Sequence, residues 1–174
     1  SKEGGHTAET WFYKGVLSLH HTQYREAETC FENAVQEDPS FEQKIEKVKQ
    51  DIGDEYLEYF TYEAEWQREK PGRRMLVKGL TLSPEHSGLI EALNRLCEKH
   101  MHEADQYMEK ADIGEARSML EEWHKVLEDE QIARKVEKSV LSGFYVQYCK
   151  MSIEAEQYDT AISSLVQAVS LDVR

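Results

Sequence analysis

One recurrence constrains this chain more than any other feature. Ala27, Gly72, Ala116 and Ala161 stand at steps of 45, 44 and 45 residues, and Phe31, Leu76, Leu120 and Leu165 repeat the same steps four positions later. Trp11 returns as Tyr56, His100 and Tyr145, Tyr24 as Tyr158, and Pro39 as Pro84. A small and a large residue four apart share one helix face, and the small one lets a neighbouring helix approach. A fixed period of this length marks units that cannot bury an apolar face alone and must stack on one another. Between the anchors the apolar spacing is three and four, as in Leu89, Leu93, Leu96, Cys97, Met101, Ala104, Tyr107, Met108 and Ala111. Strand-like alternation is not sustained anywhere, so the pattern predicts an all-α chain of four antiparallel helix hairpins.

The expected repeats are 8–40, 41–84, 85–128 and 129–174. Pro39 stops the second helix, because proline excludes its predecessor from helical geometry. The spacing then predicts a long helix over 41–70, a turn at Pro71-Gly72 and a short helix over 73–82. A third long helix runs over 84–110 with a turn at Asp112-Ile113-Gly114, and a fourth over 129–155 with a turn near Gln157. Phe60 and Trp123 stand where the pattern elsewhere has small residues, and Gly79 lies inside a helix, which implies wider or tilted packing there.

Charge narrows the function classes. The 21 Lys and Arg face 34 Asp and Glu, a net charge of −13, the wrong sign for displacing phosphate counterions or docking on anionic membranes. The longest apolar run, 75–82, carries Lys78 and is far short of a membrane span. Cys30, Cys97 and Cys149 form no CxxC pair and sit in helical apolar patterns, which reads as buried reduced thiols. No phosphate loop, nucleophile elbow or zinc helix is present in the sequence. Cys97 and His100 share a helix face near Glu103, but His102 points elsewhere, so no metal site is expected. Lys70, Arg73, Arg74 and Lys78 form the one basic cluster and read as a solvated outer face. His20-His21 ends the first helix, where histidine complements the helix dipole.

Within 8–40, the set Trp11, Gly15, Tyr24, Ala27, Phe31, Ala34 and Pro39 resembles the tetratricopeptide repeat (TPR), with a period some ten residues longer than that family's. The resemblance implies a right-handed superhelical array, a TPR-like α-solenoid whose concave surface is lined by the first helix of each hairpin and binds protein segments. Carried across at the common register, that inner face comprises Phe12, Tyr13, Val16 and Leu19, then Leu57, Glu58, Thr61 and Glu65. Met101, His102, Asp105, Met108 and Glu109 follow, and Val146, Gln147, Lys150 and Ile153 complete it. Glu58, Glu65, Asp105 and Glu109 outnumber Lys150, so the expected partner is a basic or amphipathic segment. Phe12, Val16, Leu57 and Met101 do not supply the cationic clamp by which some members of that family hold acidic chaperone tails.

The reading is a non-enzymatic protein–protein interaction module, a scaffold, adaptor or assembly factor, with no cofactor, nucleic acid or membrane partner. A regulatory or substrate-recruiting domain of a larger enzyme is the alternative, followed by an RNA-processing repeat using the Lys70 to Lys78 cluster. The chain has no initiating Met and closes at Leu171-Asp172-Val173-Arg174 with Leu165, Val166 and Val169 uncovered. Those ends suggest a segment of a longer protein or a homodimer through an uncapped end. Unpaired cysteines favour the cytoplasm.

Overall fold

The computed structural model describes residues 7–172. The regular structure among them is helical throughout: α1 (Ala8–His20), α2 (Tyr24–Glu37), α3 (Phe41–Glu65), α4 (Glu69–Leu82), α5 (Ser87–Glu109), α6 (Ile113–Leu127), α7 (Glu130–Ala133), α8 (Lys138–Glu154) and α9 (Tyr158–Asp172). The helices form two compact units divided within α5, between Leu89 and Ile90. The closing residues Val173 and Arg174 lie outside the described residues.

The recurrence is written into the backbone. Thr22, Gln67, Ala111 and Glu156, again 45, 44 and 45 residues apart, are the described non-glycine residues with positive φ, between 54° and 60°. Each ends the first helix of a hairpin with one hydrogen-bond pattern. Gln23 N–H donates to the Ser18 carbonyl (2.8 Å) and Thr22 N–H to Leu19 (2.9 Å). The same two bonds recur as Arg68 to Glu63 and Gln67 to Ala64, Asp112 to Tyr107 and Ala111 to Met108, and Gln157 to Ser152 and Glu156 to Ile153. This is a Schellman closure, which satisfies orphan carbonyls at the helix end and reverses the chain. Four identical turns therefore join α1 to α2, α3 to α4, α5 to α6 and α8 to α9.

Bulk on one helix is matched by its absence on the other. In the first hairpin Phe31 fills the space left by Gly15, where a Cβ would lie 2.5 Å from the Phe31 ring. In the second the roles exchange: Phe60 on α3 meets Gly72 on α4, and Tyr56 meets Gly79. In the third, His100 and Trp123 meet as two large groups, and the Trp123 indole N–H donates to His100 Nδ1 at 2.6 Å in the buried core. Phe60 is thus compensated across its hairpin by Gly72, whereas Trp123 is accommodated by its hydrogen bond to His100. In the first unit Phe12, Leu19, Ala27, Phe31, Ala34, Phe41, Ile45 and Ile52 form one apolar cluster, in which the N-terminal half of α3 covers the first hairpin.

Three boundaries differ from the sequence reading. The long helix α3 ends at Glu65, not 70, and Pro71 and Gly72 lie inside α4. Proline at the third helical position lacks only an N–H that would have no partner in the first turn. Consequently Lys70, Arg73, Arg74 and Lys78 all lie on α4 and do not straddle a turn. The third turn occupies 110–112, and Asp112 caps α6 by accepting from Glu115 N–H at 3.3 Å. The fourth long helix is broken into α7 and α8 by 134–137, a stretch with no glycine or proline. Its cause is tertiary: the buried Asn94 side chain on α5 accepts from Glu137 N–H (2.8 Å) and donates to the Lys135 carbonyl (3.0 Å). One amide thereby replaces the intrahelical bonds that the break removes.

Candidate functional site

The C-terminal half of α3 turns Gly53, Tyr56 and Phe60 toward its own unit, so the opposite arc of the helix is left outward. That arc carries Tyr59, Tyr62 and Trp66 at spacings of three and four, all exposed, with Trp66 at 64%. Helical geometry stacks such residues into a single stripe. Tyr62 and Trp66 lie with ring centroids 6.4 Å apart, and Tyr59 packs edge-on to Tyr56 at 5.9 Å. Glu55, Glu58 and Glu65, exposed on the same half of α3, edge the stripe with carboxylates. The Tyr59 hydroxyl donates to Glu55 Oε1 at 2.6 Å, and that bond to a carboxylate raises the phenol's pKa.

A cation already uses this chemistry. Arg68, just past the turn, places its guanidinium 5.6 Å from the Tyr62 ring centre and forms an ion pair with Glu63, Nε to Oε2 at 2.9 Å. An aromatic face beside a carboxylate holds a guanidinium by the ring quadrupole and by charge together. Sequence reasoning missed Tyr59, Tyr62 and Trp66, although their spacing of three and four was the available signal.

The residues carried over by register divide into three groups. Glu58, Thr61 and Glu65 are exposed on α3, and Tyr13 is exposed on α1 with Leu17 one turn on. Val16 and Leu57 are half-buried. Phe12 and Leu19 are core residues, with Phe12 against Phe41 (5.5 Å) and Phe31 (6.3 Å), and they present nothing to solvent.

The second unit presents a separate face. His102, Asp105 and Glu109 are exposed on α5, with Met101 and Met108 half-buried, while Val146, Lys150 and Ile153 are exposed on α8. Gln147 is buried and ties the two helices, its side-chain amide donating to the Met101 carbonyl at 2.6 Å. It is a structural residue, not part of the open surface. Cys97 lies 4.0 Å from the Met101 sulfur, His100 is committed to Trp123, and His102 pairs with Gln106, so these side chains have partners in the fold. Burial pushes the Cys97 thiol up to about 12. All three cysteines are buried and free, as their apolar pattern predicts.

Identical turns closing successive helix hairpins, the first two of which mesh a large side chain against a glycine, define a helical-hairpin repeat protein. Residues 8–41 match the family model of the tetratricopeptide repeat, and the first hairpin is such a repeat, with three later hairpins following it in register. Repeats of this family generally serve protein–protein interaction and are typically non-catalytic. A search of curated proteins returns no match. No helix among the described residues is long and apolar enough to cross a membrane.

Proposed function

We propose that this protein is a non-enzymatic adaptor or scaffold that captures a basic, amphipathic segment of a partner protein on the outward faces of its first helices. The aromatic stripe of α3, with Tyr62 and Trp66 as anchors and Glu58, Thr61 and Glu65 on its edge, is the main contact. Tyr13 and Val16 on α1 extend the contact surface of the first unit, and Leu57 lends partial apolar backing. In the second unit Met101, His102, Asp105, Met108, Glu109 and Lys150 form an independent contact surface.

The observation that carries this reading is Arg68 seated over Tyr62 and paired with Glu63, an intramolecular example of the cation that a partner would bring. Exposed aromatics give large contact area at small entropic cost, and flanking carboxylates steer a basic partner. Buried free thiols fit a reducing compartment such as the cytoplasm.

The test is fluorescence anisotropy with a labelled amphipathic peptide rich in Lys and Arg, beside an acidic peptide of the same apolar content. Binding of the basic peptide alone is expected, weakening with salt and about tenfold or more weaker in Tyr62→Ala and in the Glu58→Lys, Glu65→Lys double variant. Equal binding of both peptides, or undiminished binding by the variants, would refute the proposal.

A further inference from the structure

The Arg68 side chain lies on the α3 stripe, and nothing in the turn that carries it requires it there. All four turns close by the same pair of backbone bonds. At the other three, the places of Glu63 and Arg68 are taken by Ser18 and Gln23, Tyr107 and Asp112, and Ser152 and Gln157. None of these is an ion pair, so the closure does not depend on the charges. Nor does the side chain serve the helix it precedes: Arg68 is the N-cap residue of α4 and makes no side-chain capping bond. It lies instead against the stripe, with its guanidinium 5.6 Å from the Tyr62 ring centre and Nε 2.9 Å from Glu63 Oε2.

That fit is incomplete. Glu63 Oε2 is buried and accepts no hydrogen bond among the described residues, although Nε lies within ion-pair distance. Arg68 is tethered at its backbone, where its own N–H is bound to the Glu63 carbonyl at 2.9 Å. From there the side chain brings its charge to the carboxylate without an aligned N–H. A buried acceptor without a donor keeps its desolvation cost. An arginine from another chain has no such tether, and its planar fork of donors can align with the carboxylate while its face lies on the ring. A lysine ammonium is a point charge with no flat face. The Arg68 side chain is half exposed, so it can swing away without unpacking the core. The seat therefore favours an incoming guanidinium over the one it holds.

Building on the α3 stripe as the capture surface, we propose that Arg68 is an intramolecular occupant of this seat, which an anchoring arginine of the partner displaces. While Arg68 is seated, the site is closed to a second guanidinium. The apparent dissociation constant then exceeds the intrinsic one by the reciprocal of the fraction of time the seat is open. Arg68 thus sets a threshold that segments with lysine alone do not pass.

The test is an anisotropy titration with a basic amphipathic peptide whose cations are all arginine, beside its all-lysine counterpart. Arg68→Gln places at this turn the residue that stands at two of the others, Gln23 and Gln157, so its circular dichroism should be unchanged. It should bind the arginine peptide about fivefold or more tighter than wild type, and the lysine peptide should gain less than about twofold. Arg74→Gln removes the same charge from an exposed position on α4 and should change binding by less than about twofold. In a Tyr62→Ala background Arg68→Gln should give no gain, because the seat is gone. A wild type that binds through Tyr62 while Arg68→Gln binds no tighter overturns the displacement and leaves the capture surface standing. An equal gain from Arg74→Gln or with the lysine peptide, or a gain that survives Tyr62→Ala, also overturns it. No binding by either wild type or Arg68→Gln overturns the displacement and the capture surface together.

Discussion

Replacing Gly53 with alanine tests how the first unit holds the start of α5. A Cβ built at Gly53 lies 2.2 Å from His86 Cδ2 and 2.7 Å from Cγ, well inside contact distance. The His86 ring is pinned at both nitrogens: Nε2 lies 2.7 Å from Asp54 Oδ1, and Nδ1 accepts from Leu89 N–H at 3.1 Å. With Nδ1 accepting, Nε2 is the ring nitrogen that donates to the carboxylate. Alanine gains about 1 kcal/mol over glycine in helix propensity. Against this stand about 1 to 3 kcal/mol of overpacking and about 1 kcal/mol for each displaced hydrogen bond. The Asp54 bond counts at the low end of its range, because that carboxylate is largely exposed. The net expectation is a loss of about 2 to 3 kcal/mol. Urea unfolding followed by circular dichroism measures it, with Gly114→Ala as control. A Cβ there meets only Asp112 Oδ1 at 3.9 Å, so the control should gain about 0.5 kcal/mol. A Gly53→Ala chain as stable as wild type would show that the ring is not held where these bonds place it.

The other perturbations probe separate parts of the fold. Gln67→Gly and Glu156→Gly should each stabilise by up to about 1 kcal/mol in the same urea assay, since glycine relieves the left-handed backbone at each turn. Thr22→Gly should gain most, because a β-branched side chain tolerates that conformation least. Asn94→Ala should cost about 2 to 4 kcal/mol by leaving the Glu137 N–H and the Lys135 carbonyl without their partner, and should speed hydrogen exchange at the Glu137 amide. Cys97 should resist alkylation at pH 8 until urea unfolds the chain, because its thiol is raised from 9.0 to about 12. That shift favours the protonated thiol in the folded state, so its stabilising contribution is complete below pH 9.0 and is lost as pH rises toward about 12.

Much of the fold was legible because side chains and backbone share one register. The steps from Ala27 to Gly72, Ala116 and Ala161 are those of the four left-handed turns, although none of Thr22, Gln67, Ala111 and Glu156 is a turn-forming glycine. Local signals misled where position within a helix decides their meaning, and Pro71-Gly72 reads as a turn yet lies inside α4. The break before α8 was illegible for a deeper reason, since Asn94, its cause, is 41 residues upstream of Lys135. For the candidate site, transferring the register of the first hairpin marked Glu58, Thr61 and Glu65 for the inner face, and all three are exposed. It also marked Phe12 and Gln147, which the packing buries, and passed over Tyr59, Tyr62 and Trp66, which the first hairpin's pattern does not foreshadow.

The Asn94 clasp also bears on the order in which the second unit assembles. The N-terminus of α8 has no side-chain cap of its own, so its first residues gain their fixed geometry when α5 supplies the amide. Contacts so far apart in sequence close late, after local hairpins have formed. The expected consequence is that loosening the clasp, as in Asn94→Ala, accelerates unfolding while leaving the rate of folding nearly untouched, which the two limbs of a urea chevron would show.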